Sequence, residues 1–213
     1  MNKGILVDID DCILNVTRRK AAIYSYLLNK KITVKDVIGK RTAEFLSNYL
    51  PPNKIEEYRE KFWKIALCLE KEGYKFIDLD KPEPYSRQIL RKLSKKFIIV
   101  YISNRLESMK HISISQLKKF NFPYYENVYH ADDQTFLSSA TEGRKSVLSK
   151  IPKLNYVVVI DDLPENYHHY KSLGIPKIIG FMKYIVLDEK KFYNNGANYV
   201  IKSWKDFPLN DFL

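Results

Sequence analysis

The sequence predicts an α/β fold, a parallel β-sheet carrying an all-helical insert, on three observations. The runs Phe97-Ile98-Ile99-Val100-Tyr101-Ile102 and Tyr156-Val157-Val158-Val159-Ile160 are continuously apolar, as in strands buried on both faces. Helical segments alternate with such runs, which calls for parallel strands joined by right-handed crossovers. A long block of helical character lies between the first apolar run, Gly4-Ile5-Leu6-Val7, and the second, so the insert interrupts the sheet-forming chain instead of preceding it.

In chain order, residues 4–7 read as the first strand. Helices are expected over 18–30, 42–49 and 54–72, where apolar residues recur at i, i+3 and i+4. Thr33-Val34-Lys35-Asp36 and Pro51-Pro52-Asn53 start or break them. Asp80-Lys81-Pro82-Glu83-Pro84 is a stiff connector leading into an amphipathic helix over 85–95. After the strand at 97–102 come a helix (108–120), a short strand (127–130), a helix (144–150), a strand (156–160), a helix (164–173), a strand (177–181) and a small strand at Tyr199-Val200-Ile201. The expected division is a discontinuous core, 1–14 and 84–213, with a helical insert at 15–83.

The 213 residues are 45% hydrophobic and 29% charged, ordinary for a globular chain long enough for one domain and an insert. No apolar stretch approaches the roughly 20 residues that span a bilayer. The first strand begins almost at Met1, so the expectation is a cytoplasmic protein with no signal peptide and no membrane contact. Cys12 and Cys68 are too few for a disulfide framework or a cysteine-based zinc site. Thirty-six Lys and Arg against 25 Asp and Glu leave a net charge of +11, which suits anionic partners. The lysines are spread over nearly every helix, so nucleic acid is an open but unfavoured partner. No glycine-rich phosphate loop occurs, which counts against an ATP-dependent kinase. His168 and His169 are neighbours, face different ways on a helix, and do not make an i, i+4 metal pair.

The chemistry concentrates where strands end. Asp8 and Asp10 close the first strand at alternate positions, so their side chains share a face at the carboxyl edge of the sheet. That edge is where α/β proteins hold ligands. Two close carboxylates repel and call for a cation or a shared proton. Mg²⁺, a hard cation with a preference for oxygen, meets that need. The strand at 97–102 closes on Ser103-Asn104-Arg105, Lys145 begins a short helix, and the strand at 156–160 closes on Asp161-Asp162. On one edge of a parallel sheet these groups converge.

The ordered set Asp8-Ile9-Asp10, Ser103-Asn104, Lys145 and Asp161-Asp162 resembles the four motifs of the haloacid dehalogenase superfamily, over nearly the whole chain. The resemblance implies a Rossmann-like doubly wound core, with the helical insert standing where this superfamily places its type I cap. It implies that Asp8 is a nucleophile forming an aspartyl-phosphate and that Asp10 is the general acid and base. Ser103, Asn104 and Lys145 would bind the phosphoryl group. Mg²⁺ would be held by the Asp8 carboxylate, the Asp10 main-chain carbonyl and Asp161, with Asp162 favoured over Glu165 to complete its surroundings. An acid at position 10 points to phosphate-ester hydrolysis or transfer. The expected activity is therefore a Mg²⁺-dependent phosphomonoester hydrolase acting on a small phosphorylated metabolite.

Two departures stand out. Members of this group commonly read D-x-D-G-T, whereas Asp10 is followed here by Asp11-Cys12. A thiol is a weak substitute for a hydroxyl, and Asp11 adds negative charge unless it points away. The turn Val37-Ile38-Gly39-Lys40-Arg41-Thr42 is similar to the one by which type I caps reach their active site, which would bring Lys40 or Arg41 to the substrate's leaving group. Other activities stay open on the same scaffold: a phosphatase of nucleotides or nucleic-acid ends, a phosphotransferase or mutase, and a non-enzymatic binding module. Oligomeric state is not legible.

Overall fold

The computed structural model describes residues 2–134, 140–184 and 188–212. The chain divides into two compact units: the residues up to Ile13 together with those from Pro82 onward, and Leu14–Lys81.

The first unit is built on six parallel strands: β1 (Lys3–Asp8), β4 (Ile98–Leu106), β5 (Val128–Ala131), β6 (Asn155–Asp161), β7 (Ile178–Phe181) and β8 (Tyr199–Ile201). Their order across the sheet is β5-β4-β1-β6-β7-β8. Numbered by appearance within this sheet, that is 3-2-1-4-5-6, the doubly wound arrangement in which the chain reverses direction beside its first strand. The reversal puts β1 between β4 and β6, so the three strands that end on polar clusters are immediate neighbours. Ile5, Leu6 and Val7 are fully buried, as the uninterrupted apolar runs require.

Helices α6 (Ser86–Leu93), α7 (Lys110–Lys119), α8 (Ala140–Lys150), α9 (Tyr167–Ser172) and α10 (Glu189–Asn195) flank the sheet. Leu6, Val100, Ile102 and Val159 form one core with Val147 and Leu148 of α8 and Tyr167 and Tyr170 of α9. Asp8 lies two residues beyond Leu6 on a strand and so points to the same face, toward α8 and α9. That alternation positions the site.

The second unit holds α1 (Thr17–Leu28), α2 (Val34–Val37), α3 (Thr42–Leu46), α4 (Pro52–Ala66) and α5 (Lys71–Ile77), with β2 (Leu14–Asn15) paired to β3 (Lys81–Pro82) where the chain passes between units. Its centre is aromatic: Tyr24 stacks on Phe45 at 4.1 Å and on Phe62 at 4.5 Å between ring centroids. The single helix expected over 54–72 is two helices. Cys68 adopts a left-handed conformation (φ 54°) after α4, and the chain turns back. The reversal brings α5 so close that a Cβ on Gly73 would lie 2.1 Å from the Ile65 carbonyl oxygen. Periodicity continues through such a turn because the same face stays buried.

Candidate active site

Asp8 ends β1 and is 5% exposed. Its Oδ1 accepts a hydrogen bond from Arg144 Nη2 at 2.7 Å. Arg144 comes from α8, where positions 144, 147 and 148 follow the i, i+3, i+4 spacing of one helix face. Val147 and Leu148 are the apolar part of that face and lie in the core, which carries the Arg144 guanidinium to the sheet edge at 1% exposure. Lys145 is turned outward: its ammonium pairs with Glu142 at 2.6 Å and its side chain is 56% exposed. The cation beside Asp8 is therefore Arg144, not the Lys145 expected from the motif, because helix phase decides which of two adjacent basic residues enters. Arg144 also approaches Asp161 at 3.6 Å, and its Nε and Nη1 are buried with no partner among the described residues.

Asp161, fully buried at the end of β6, is committed to protein donors. Its Oδ1 accepts from Leu163 N–H at 2.7 Å, and its Oδ2 accepts from Asn166 Nδ2 at 3.0 Å and from the Tyr170 hydroxyl. It orients Arg144 and the turn after β6, with both of its oxygens engaged by protein donors. Asp162 is half-buried, and its charge reaches Cys12 and Tyr167. Glu165 points elsewhere, to Lys191 on α10 at 2.5 Å.

Asp10 lies just past the strand with its side chain 30% exposed, and both its oxygens accept from Arg105: Nε to Oδ2 at 2.9 Å and Nη2 to Oδ1 at 2.6 Å. Ser103 is buried in β4 where its register with β5 shifts, its Oγ accepting from Arg105 N–H at 3.0 Å. Asn104 is half-buried, and its Oδ1 finds no partner among the described residues.

The departures at 11 and 12 acquire physical reasons. Asp11 sits at φ 58°, a left-handed position that glycine takes easily and aspartate tolerates. Its carboxylate turns to Lys183 at 2.8 Å, which also holds Glu83 at 2.6 Å. Burial would lower the Lys183 ammonium, but Asp11 and Glu83 outweigh it and keep it charged, so the extra negative charge is neutralised beside the site. Cys12 is fully buried, with its thiol donating to the Ile160 carbonyl at 3.8 Å and its own carbonyl accepting from Trp204 Nε1 at 2.8 Å. Burial, then the charge of Asp8, pushes the thiol up and leaves it a weak donor, not a nucleophile. Lys40 and Arg41 are exposed residues of the second unit, in the turn after Gly39 (φ 70°).

No family model and no curated protein matches the sequence. Solved structures do match the fold. A haloacid dehalogenase-like family hydrolase from Streptococcus pneumoniae superposes with a TM-score of 0.67 at 11% identity, over 96% of this chain and 95% of that one. The fold is that of the haloacid dehalogenase superfamily. A subfamily IA hydrolase of the same superfamily from Geobacter sulfurreducens gives a TM-score of 0.59 at 15% identity, over 96% of this chain and 93% of that one. A HAD-family hydrolase from Deinococcus radiodurans, solved with bound phosphate and sodium, gives 0.59 at 15%, over 96% and 92%. Both expectations for the core, doubly wound sheet and haloacid dehalogenase fold, are met. No helix among the described residues is long and apolar enough to cross a membrane.

A haloacid dehalogenase fold implies Mg²⁺, and the donors beside Asp8 fit it. Among the described residues nothing donates to Asp8 Oδ2, so one oxygen of this buried carboxylate has no counter-charge of its own. Burial, then the charge of Asp161, pushes the Asp8 carboxyl well above its usual range against the pull of Arg144. A hard cation on that oxygen would relieve the strain. Among the described residues no group of three His, Cys, Asp or Glu side chains is placed to hold a metal ion by itself.

Proposed function

We propose that this chain is a Mg²⁺-dependent phosphomonoester hydrolase working through an aspartyl-phosphate on small phosphorylated substrates. The observation that supports it most is Asp8: a buried strand-end carboxylate with one oxygen on Arg144 and, among the described residues, no donor to the other. Asp8 attacks phosphorus, the bond from phosphorus to the leaving oxygen breaks, and Asp10 gives that oxygen a proton. Water then attacks the acyl-phosphate, Asp10 takes its proton, and inorganic phosphate leaves with Asp8 restored. The Arg144 donors, the Ser103 hydroxyl and Asn104 bind the phosphoryl oxygens, where preorganised donors act most strongly on the transition state. Mg²⁺, held by Asp8, the Asp10 carbonyl and Asp162, would reduce repulsion between the anionic nucleophile and its anionic substrate. The cap role of the helical unit, with Lys40 or Arg41 as a substrate contact, is carried over from the resemblance.

The test is phosphate release from p-nitrophenyl phosphate with Mg²⁺ and with EDTA. Turnover is expected only with the metal, and Asp8→Asn is expected to lower it by at least about 10⁴-fold, as loss of a nucleophile does elsewhere. Activity that survives Asp8→Asn rules out the aspartyl-phosphate.

A further inference from the structure

Arg105 is the one member of the Ser103-Asn104-Arg105 cluster that the reading above leaves without a task. It is 2% exposed, unusual for an arginine, and the fold spends several contacts on it. The β4–β5 register shifts between Ser103 and Leu106, a bulge of the kind that re-aims side chains next to functional sites. Within the bulge Ser103 Oγ accepts the Arg105 N–H, so the hydroxyl at the phosphate site also fixes the arginine's backbone. Behind the guanidinium, Nη1 donates to Ser113 Oγ at 3.0 Å and to Gln116 Oε1 at 2.6 Å. Both acceptors lie on α7 three residues apart, on one helix face. The front of the guanidinium makes the two-bond fork to Asp10, which fixes the plane of the carboxylate as well as its position.

We propose that Arg105 is a positioning residue for the proton transfer made by Asp10: α7 holds the guanidinium, and the guanidinium holds the carboxylate toward the leaving oxygen. This rests on the hydrolase reading above. Misplacing a catalytic group by about 1 Å costs on the order of 10²-fold, and the two-bond fork is a rigid means of holding a partly exposed aspartate in place. Lysine keeps the charge but not the fork, so it cannot substitute.

The experiment compares kcat/KM for p-nitrophenyl phosphate, whose leaving phenolate needs no proton, with kcat/KM for phenyl phosphate, whose leaving group does. This parameter reports the step in which the leaving group departs, so slow breakdown of an acyl-phosphate does not enter. Arg105→Lys and Arg105→Ala are expected to lower phenyl phosphate turnover on the order of 10²-fold and p-nitrophenyl phosphate turnover by only a few-fold. Gln116→Met, which keeps the arginine and removes one of its anchors on α7, is expected to shift the ratio in the same direction by less, and it carries the test if the arginine variants do not fold. Adding Arg105→Lys to Asp10→Asn is expected to cost nothing further on phenyl phosphate. Equal losses on both esters, or full recovery of the ratio by lysine, overturn the proposal while leaving the hydrolase reading intact. A wild-type protein inactive on both esters with Mg²⁺ removes the hydrolase reading itself.

Discussion

The two units keep opposite things inside. In the sheet unit Asp8, Asp161, Arg105 and Arg144 are each at most 5% exposed and lie in two clusters at the strand ends, Arg144 beside Asp8 and Asp161, and Arg105 on the partly exposed Asp10. In the helical unit the interior is Tyr24, Phe45, Phe62 and their aliphatic neighbours. Ion pairs such as Lys54 and Lys61 to Glu57 lie on the surface of α4, while Arg19 and Asp80 pair in the interior at 3.2 Å. Burying charge is costly unless every partner is in place. A fold that does so at the ends of adjacent strands is spending stability on chemistry, whereas rings stacked on rings are spent on holding helices together.

Arg144→Met tests the sheet-unit side of this contrast. It leaves Asp8 and Asp161 buried without their shared cation, and an expected loss of about 4 kcal/mol should appear in urea unfolding. Lys145→Ala, next door and paired with exposed Glu142, should leave unfolding unchanged. If the two substitutions cost the same, Arg144 is not the buried cation.

Phe62→Ala asks what the aromatic centre contributes. Phe62 is 1% exposed between Tyr24 and Trp63, and removing the ring should cost about 3–4 kcal/mol by leaving a cavity. Trp63 fluorescence in the same unfolding experiment would register it, and a loss well under 1 kcal/mol would mean that the stack is not what holds these helices.

The smallest of the three effects concerns His130, in β5 beside the bulge. All four histidines lie in the sheet unit. Nδ1 of His130 faces the Leu106 carbonyl at 2.8 Å and Nε2 is buried without a partner among the described residues, so the ring is held neutral. Burial lowers its pKa to about 4. An unfolded chain, titrating near 6.5, binds the proton more readily, so this stabilisation is complete above about pH 6.5 and is lost as pH falls toward 4. The loss amounts to about 3 kcal/mol. Urea midpoints measured between pH 7 and 4.5 should fall less steeply in His130→Gln than in wild type, and parallel profiles would exclude the histidine.

What the amino-acid order determined by itself is local. Continuous apolar runs marked β1, β4 and β6, period-3.6 patterns marked the helices, and alternation marked Asp8 as facing one side of the sheet edge. Those readings need only neighbours within about ten residues. Strand order was not in that information: that β1 lies between β4 and β6, bringing Asp8, Ser103 and Asp161 onto adjacent strands, follows from how the crossovers wind. Nor could adjacency in the chain choose between Arg144 and Lys145. The spacing to Val147 and Leu148 was a usable signal, but it became decisive only once α8 was laid on the face that Leu6 and Asp8 share. The occupation of Asp161 by Tyr170 and Asn166, and of Asp10 by Arg105 from 95 residues away, belongs wholly to the tertiary structure. A buried charge takes its partners from whatever packing brings within hydrogen-bond reach, and sequence distance places no limit on that.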